Sequence, residues 1–190
     1  MAKWAKTLTE LDSQFREISA RASALAGSTG VALCVRRPRE GSWSVVECIQ
    51  HLNLSADEYF PLWSQAIALA KRRKGAPDAP YRMDLLGRLL FLALEPPSKL
   101  RSKTSSPFIP ADSLDAQTVF AEFEERQQRI VNKMLTCRGL AIDAIKMASP
   151  FNNKLRYSVW SSFVVTAAHG RRHIWQAEKA VSILRDEHGI

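Results

Sequence analysis

Apolar side chains recur every three or four residues along most of the chain, which is the period of amphipathic α-helices. The pattern predicts four long helices, over residues 8–26, 44–74, 113–136 and 157–185. It also predicts one short helix over residues 83–94. No segment alternates convincingly between apolar and polar residues, so we predict no strand. The expected fold class is all-α: a four-helix bundle with short accessory helices, in a single domain over residues 1–190 with its core at about 8–185.

Two of the predicted helices begin with the spacing of a capping box. Thr7 precedes Glu10 by three residues, and Ser44 precedes Glu47 by three. In this motif the hydroxyl accepts a hydrogen bond from a backbone N–H of the first turn, and the carboxylate accepts one from the cap residue. We therefore interpret Glu47 as part of a helix cap.

Three segments lack helical periodicity. Residues 27–42 and 137–156 are expected to be irregular, the second with at most one helical turn at about residues 142–147. Between them lies a long Pro-rich loop at residues 95–111, which ends at Asp112, the expected cap of the next helix. A loop of this length without secondary structure is often functional.

The composition is that of an ordinary globular domain. With 190 residues, of which 46% are hydrophobic, the chain is long enough to bury a sizeable core. Its most hydrophobic stretch, residues 85–94, carries Arg88 and is well short of the roughly 20 apolar residues of a membrane span. No signal peptide is visible, and the three cysteines form no CxxC pair, which does not fit a disulfide framework. We expect a cytoplasmic protein with no membrane partner.

The charge balance adds little specificity. The chain has 27 Lys and Arg against 19 Asp and Glu, a net charge of +8, which permits nucleic acid or anionic small molecules as partners. The densest basic run, residues 71–74, directly precedes Gly75, and cations at the end of a helix are favoured by the helix dipole. No motif that reads bases is present, so nucleic-acid binding is the least favoured of the alternatives.

Three of the four histidines could meet at one point. His169 and His173 lie four residues apart on the last predicted helix, so both imidazoles share one face. A metal needs a further ligand from another helix, and His51 is the candidate. His188 lies two residues before Ile190, in a segment that we expect to be frayed. Small residues on the same face, Ser158 and Ser162, are expected to leave space beside a metal.

The spacing alone leaves two interpretations open. A histidine on an inward helix face is often a hydrogen-bonded core residue, and a pair four residues apart can arise by coincidence. The HExxH motif of zinc proteases is absent, because Gly170 follows His169. Metal binding and simple core packing are therefore both compatible with the pattern.

Two short motifs carry a resemblance to a known family. The segment W-S-x-x-E-x-x-x-H-L at residues 43–52 resembles the first signature of the DinB/YfiT-like superfamily, and H-x-x-R-H-x-x-Q at residues 169–176 resembles its last. The segments Phe-Ile-Pro at residues 108–110 and Ser-Pro-Phe at residues 149–151 fit the same family. The match covers residues 8–185, nearly the whole chain.

The resemblance implies a four-helix bundle in which His51, His169 and His173 hold a divalent metal. Imidazole ligands suit Zn, Ni or Fe(II), and the sequence does not choose among them. Family members include metal-dependent hydrolases and transferases that activate a low-molecular-weight thiol, so a small-molecule substrate is implied, and a homodimer is compatible with the family. A non-catalytic, stress-related metal- or ligand-binding module is the alternative, and it would have a closed site with four ligands.

Further residues near the motifs have candidate roles. Glu58 is a candidate general base or acceptor for a metal ligand, or else a surface carboxylate; Arg172 would bind an anionic substrate or pair with a carboxylate. Gln176 would contact a ligand or substrate, or serve helix packing. Cys48 is expected to be a buried structural thiol rather than a metal ligand. Core or interface positions are expected for four aromatic residues: Trp43, Trp63, Trp160 and Trp175.

Overall fold

The computed structural model describes residues 4–73, 80–97 and 104–188. These residues form six helices, α1 (Leu8–Ser28), α2 (Val31–Val35), α3 (Val45–Ala70), α4 (Leu85–Leu94), α5 (Ala116–Leu135) and α6 (Val159–His188). Two three-residue strands, β1 (Lys146–Ala148) and β2 (Arg156–Ser158), pair antiparallel before α6. In the described part of the chain, no helix has both the length and the apolar character needed to cross a membrane.

The four long helices α1, α3, α5 and α6 make the predicted bundle. Both α3 and α1 pack against α5 and α6, and α4 packs on the outside of α6. Large apolar side chains fill the interior without exposure to solvent, among them Phe15 of α1, Trp63 of α3, Phe123 of α5 and Phe163 of α6. The all-α prediction for the fold is confirmed, and α3 and α6, which carry the three histidines of interest, lie side by side.

Both predicted capping boxes are present. The Glu10 N–H donates to Thr7 Oγ1 at 3.2 Å at the start of α1. The Ser44 N–H donates to the Glu47 carboxylate at 2.8 Å, and the Glu47 N–H donates back to Ser44 Oγ at 3.3 Å. A cap of this kind contributes about 1 kcal/mol to helix stability, and it sets where α3 starts and hence where His51 falls on the helix.

The third long helix, α5, begins later than the sequence predicts. Its cap is Asp115, not Asp112, and the Thr118 N–H donates to Asp115 Oδ1 at 2.8 Å. Leu114 and Val119, the residues just before the cap and four after it, occupy the positions of a hydrophobic staple, which fixes this start. Asp112 is exposed and lies in the loop.

Two predicted irregular segments contain regular structure. The short helix α2 lies within residues 27–42, and its Cys34 side chain is buried in the core. The helical turn expected at residues 142–147 is limited to residues 141–144, where the Ala144 N–H donates to the carbonyl oxygen of Ala141 at 3.1 Å. The strand pair β1–β2 begins directly after it, with Met147 opposite Tyr157. Strands of three residues are too short to show an alternating pattern, so their sequence carries no signal of them.

The ends of the predicted helices shift by a few residues. The helix α3 ends at Ala70, before the predicted end at Lys74, which lies outside the described residues, as does part of the Pro-rich loop at residues 98–103. The helix α6 starts at Val159 because Tyr157 and Ser158 belong to β2. The loop between β1 and β2 brings Phe151 against Tyr59 of α3 and His169 of α6.

Candidate metal centre

The three histidines meet inside the bundle. His51 comes from the second turn of α3, whereas His169 and His173 come from successive turns of α6. Each offers a ring nitrogen, and these nitrogens all lie within 4.8 Å of one another. The exposed fractions of the three residues are 4%, 8% and 7% in chain order. The sequence prediction that three imidazoles converge is confirmed.

A backbone carbonyl fixes the orientation of His51. Its Nδ1 lies 2.8 Å from the carbonyl oxygen of Phe108, in the Pro-rich loop. Since a carbonyl only accepts, Nδ1 carries the proton and Nε2 keeps a free lone pair. That Nε2 lies 3.2 Å from Nε2 of His169. Metal-binding histidines commonly donate their second ring N–H in this way, which sets the tautomer needed for coordination.

The donor set fits a divalent cation. Metal–nitrogen bonds of about 2.0–2.1 Å place two imidazole nitrogens on one ion roughly 3 Å apart, which agrees with the separation found between His51 and His169. Nδ1 of His173 is buried and has no hydrogen-bond partner, so no hydrogen bond there fixes which nitrogen of this ring presents its lone pair. Buried polar atoms without partners are rare, and a bound cation would use this donor capacity.

The surroundings favour neutral imidazoles. Burial holds the pKa of His169 and of His173 well below the usual range, and the neighbouring histidines and Arg172 add to the effect. An interaction with the Gln176 side chain opposes the shift at His173. The pKa of His51 is also lowered by burial, although its bond to Phe108 opposes this. Because metal ligation requires the neutral imidazole, the apo site is already in the ligating state at neutral pH.

Aromatic rings surround the histidines. The ring of Trp43 lies 4.9 Å from that of His51 and 5.7 Å from that of His173, between ring centroids. Trp43 is half-buried, so it belongs to the site and not simply to the core or an interface. Trp43 directly precedes Ser44, the capping residue of α3, so the cap fixes its backbone near the first turns of this helix.

Two phenylalanines complete this aromatic surround. The ring of Phe108 lies 6.4 Å from that of His51, and the ring of Phe151 lies 5.5 Å from that of His169. The two phenylalanine rings stack on each other at 4.2 Å. The sequence singles out both segments through the family resemblance, but it gives neither side chain a role, because a contact between two loops has no periodic signal.

Two of the predicted supporting residues lie beside the histidines. Arg172 is partly buried, donates from Nη1 to the carbonyl oxygen of Ala93 at 3.3 Å, and its charge acts on His169 and His173. Burial lowers the pKa of its guanidinium. Gln176 is partly buried one turn beyond His173 and interacts with that imidazole.

Glu58 does not join them. It lies two turns beyond His51 on α3 and its side chain is exposed, and among the described residues no cation or hydrogen-bond donor pairs with it. Its role as a general base therefore stays a prediction without support from the contacts. Cys48 is fully buried outside the histidine cluster, and burial raises the pKa of its thiol, in agreement with a structural role.

The small residues of α6 do not leave space beside a metal. Ser162 Oγ accepts a hydrogen bond from Trp63 Nε1 at 2.7 Å, so the space next to it is filled by the indole. Ser158 Oγ donates to Ser161 Oγ at 2.8 Å. Small polar residues are needed on this face to seat Trp63 and the start of α6, and the expectation of an open space there is wrong.

A buried ion pair anchors the turn of α6 that carries His169 and His173. Arg171, between the two histidines of α6, donates from Nη2 to the Glu95 carboxylate at 2.6 Å and from Nη1 to Gln14 Oε1 at 3.0 Å. These contacts tie α6 to the end of α4 and to α1. The sequence analysis assigned no role to Arg171. Its position two residues from each histidine predicts only that it faces away from them on the helix.

Comparison with known proteins places this geometry in a family. The model of the DinB superfamily matches residues 14–177, and the chain belongs to that superfamily. Among solved structures it is similar to YfiT from Bacillus subtilis, described as a probable metal-dependent hydrolase with an unusual four-helix bundle topology. That likeness has a TM-score of 0.60 at 13% identity, covers 100% of this chain and 90% of YfiT, and shows a shared fold. No curated protein matches the chain.

Proposed function

We propose that this protein is a divalent-metal-dependent enzyme that hydrolyses a small electrophilic substrate. The observation that carries the proposal is the convergence of three buried histidine nitrogens within 4.8 Å of one another. The description of YfiT as a probable metal-dependent hydrolase is consistent with the same use of the fold.

The number of ligands favours a catalytic site over a structural one. Structural zinc sites have four protein ligands, whereas catalytic sites have three and keep a position for water or substrate. Within residues 4–73, 80–97 and 104–188, the cluster consists of His51, His169 and His173, with no fourth His, Cys, Asp or Glu. This supports an open site and argues against the closed site of a non-catalytic binding module.

The residues around the histidines have separable tasks. A divalent ion bound there would supply the Lewis acidity that makes water a nucleophile near neutral pH. The carbonyl of Phe108 holds His51 in the ligating tautomer, and Gln176 lies one turn beyond His173 and interacts with its imidazole. Arg172 provides a positive charge beside the site, which would orient an anionic group or stabilise developing negative charge on the substrate.

Transfer of a low-molecular-weight thiol is the second reaction that this site would support. The positions that accept water on a three-histidine ion also accept a thiol, whose deprotonation a bound cation favours. Zn, Ni and Fe(II) all suit the three imidazoles. A homodimer and a cytoplasmic location stay predictions; the three cysteines of the chain are buried free thiols, as a reducing compartment would favour.

Elemental analysis and activity measurements test the proposal. Protein purified without chelators should contain close to one divalent ion per chain, and His51→Ala or His169→Ala should lose it. His188→Ala, which removes the fourth histidine of the sequence, should keep the ion. Wild-type protein should then hydrolyse activated esters faster than His51→Ala.

The same preparations separate the alternatives. Consumption of free thiol in the presence of an alkylating electrophile, without ester hydrolysis, would indicate thiol transfer. A full complement of metal without either activity would support the non-catalytic module. Wild-type protein without metal, or a histidine variant with as much metal as wild type, would contradict the proposed site.

A further inference from the structure

Two exposed apolar side chains belong to the two segments that contact the histidine cluster. Phe151 is 42% exposed and Ile109 is 56% exposed, and Ile109 directly follows Phe108, which is buried. We refer to Phe108, Ile109 and Phe151 as the apolar rim. Single exposed apolar residues are common on protein surfaces, so exposure alone means little. The position of these residues next to the metal ligands is what requires an explanation.

The rim is continuous with the site. Phe151 contacts His169 ring to ring and stacks on Phe108, which in turn contacts His51. A molecule that reached His169 from the side of Phe151 would therefore meet this ring, and Ile109 is the exposed apolar residue next to Phe108 in the chain. The surface it met would be apolar, since neither of these side chains carries a polar atom.

Both halves of the rim are held in place by their own segments. The Phe151 N–H donates to Ser149 Oγ at 3.3 Å, and the Ser149 N–H donates to the Leu155 carbonyl oxygen at 2.9 Å, which closes the loop between β1 and β2. The Phe108 N–H donates to the Ser105 carbonyl oxygen at 2.9 Å in the Pro-rich loop. Two separate segments of the chain thus hold stacked phenylalanine rings beside the histidines.

We propose that the apolar rim binds an apolar group of the substrate, so that the substrate class is a small molecule with an aromatic or branched aliphatic group next to its reactive polar group. This inference rests on the proposed function, because it takes the histidine cluster as the reaction centre. Phe151 and Ile109 are then specificity-determining residues. Burial of an apolar group against them would strengthen binding in proportion to the apolar area removed from water.

Two hydroxamates of different size test the inference. The probes are acetohydroxamate and benzohydroxamate, which share a metal-chelating head and differ by a methyl in place of a phenyl group. Binding is measured from the change in visible absorption of the cobalt-loaded protein. Benzohydroxamate should bind at least about tenfold more tightly than acetohydroxamate, the difference expected for burial of a phenyl group.

Variants of the rim locate the effect. Phe151→Ala and Ile109→Ala should each reduce the preference for benzohydroxamate, and together they should bring it below about threefold, measured on variant protein loaded with one cobalt ion per chain. The preference is a ratio of two affinities, so a change at the histidines that weakens both probes alike does not alter it. Leu69→Ala is the matched control, since Leu69 is 51% exposed on α3 but lies about 27 Å along the helix from His51. It should keep the full preference.

The outcomes distinguish this inference from the one on which it rests. If cobalt binds to the histidines but the two hydroxamates bind equally well, or if the rim variants keep the full preference, the rim does not select the substrate and the metal site stands. If cobalt does not bind in proportion to the chain, the proposed function fails and this inference fails with it.

Discussion

Nδ1 of His51 lies 2.8 Å from the carbonyl oxygen of Phe108, and this bond joins the second turn of α3 to a loop 57 residues further along the chain. The side chain of Phe108 is buried and stacks on Phe151, so packing of the ring determines where its carbonyl lies. The orientation of the proposed metal ligand His51 therefore depends on a hydrophobic contact outside the bundle core.

Phe108→Ala should consequently affect both stability and metal binding. Loss of a buried phenyl ring costs about 3–5 kcal/mol of unfolding free energy. Displacement of the carbonyl from His51 should lower metal affinity by about 10- to 100-fold, the usual effect of removing a hydrogen-bond partner from a metal ligand. Urea denaturation and metal titration against a chelator measure the two effects.

Phe123→Ala is the control for this prediction. Phe123 is fully buried on α5, so its loss should destabilise the protein to a similar extent and leave the affinity for metal unchanged. Equal metal affinities for the two variants would show that the Phe108 carbonyl does not matter for the site.

The ion pair between Arg171 and Glu95 should be important for stability. The side chains are only 9% and 12% exposed, and removal of one partner from a buried pair leaves an uncompensated charge at a cost of about 3–5 kcal/mol. We expect Arg171→Met to lower the unfolding free energy by an amount in this range. Arg171→Met with Glu95→Leu should recover part of the loss, because no lone charge remains buried.

An exposed pair provides the comparison for Arg171. Arg16 and Asp12 pair on the surface of α1, where the arginine side chain is 68% exposed, and Arg16→Ala should change the unfolding free energy by less than about 1 kcal/mol. A double variant no more stable than Arg171→Met alone would contradict the account of a lone buried charge.

Stability should depend on pH through Asp84. Burial tends to raise the pKa of this carboxyl, but Lys146 and the N–H groups of Gly87 and Ser158 outweigh it, so the pKa is lowered in the folded state. The unfolded state then binds the proton more readily, and the stabilisation is complete above the unfolded pKa of about 3.9 and disappears as pH falls through the lowered pKa. Asp84→Asn should lose about 1–2 kcal/mol at neutral pH, because a neutral amide oxygen accepts weaker hydrogen bonds than a carboxylate and does not pair with the charge of Lys146, and this loss should shrink below about pH 4.

Urea denaturation between about pH 3 and pH 7 checks this prediction, since it covers the unfolded pKa of an aspartate. Asp112→Asn, which replaces an exposed loop carboxylate, is the matched control and should follow the wild-type curve. If the difference in unfolding free energy between wild type and Asp84→Asn stayed constant over this pH range, Asp84 would not contribute through its charge.

A close approach of α4 and α6 depends on Gly87. A Cβ at this position would lie 2.5 Å from the side chain of Ser161, so Gly87→Ala should destabilise the protein by about 1–3 kcal/mol. The same substitution at Gly27, where the structure leaves open space on α1, should stabilise by up to about 1 kcal/mol through helix propensity. Thermal unfolding of both variants measures the contrast, and Gly87→Ala as stable as Gly27→Ala would contradict it.

Much of the fold could be predicted because helices leave a periodic signal and caps a local one. Thr7 and Ser44 mark two helix starts that the structure confirms. The strands β1 and β2 could not be predicted, because they pair through backbone hydrogen bonds over only three residues each. The choice of Asp115 over Asp112 as a cap depends on packing of Leu114, which the sequence does not show.

The sequence could predict that the three histidines meet, but it could not predict what surrounds them. The spacing of His169 and His173 determines that they share a face, and the resemblance supplies His51 as their partner. The Phe108 carbonyl is a backbone atom of a loop, so no residue type signals it. Glu58 shares the angular position of His51, but helical angle does not report the distance along the axis, and two turns separate the residues.

The most direct test of the central claim is X-ray absorption spectroscopy of the zinc-loaded protein at the metal edge. Our account predicts imidazole scattering from three histidines, with metal–nitrogen distances of about 2.0–2.1 Å, an added oxygen ligand and no sulfur. His51→Ala should lose one imidazole or fail to bind the ion. Sulfur ligands, or a spectrum identical in wild type and His51→Ala, would show that the ion lies elsewhere and would contradict the account.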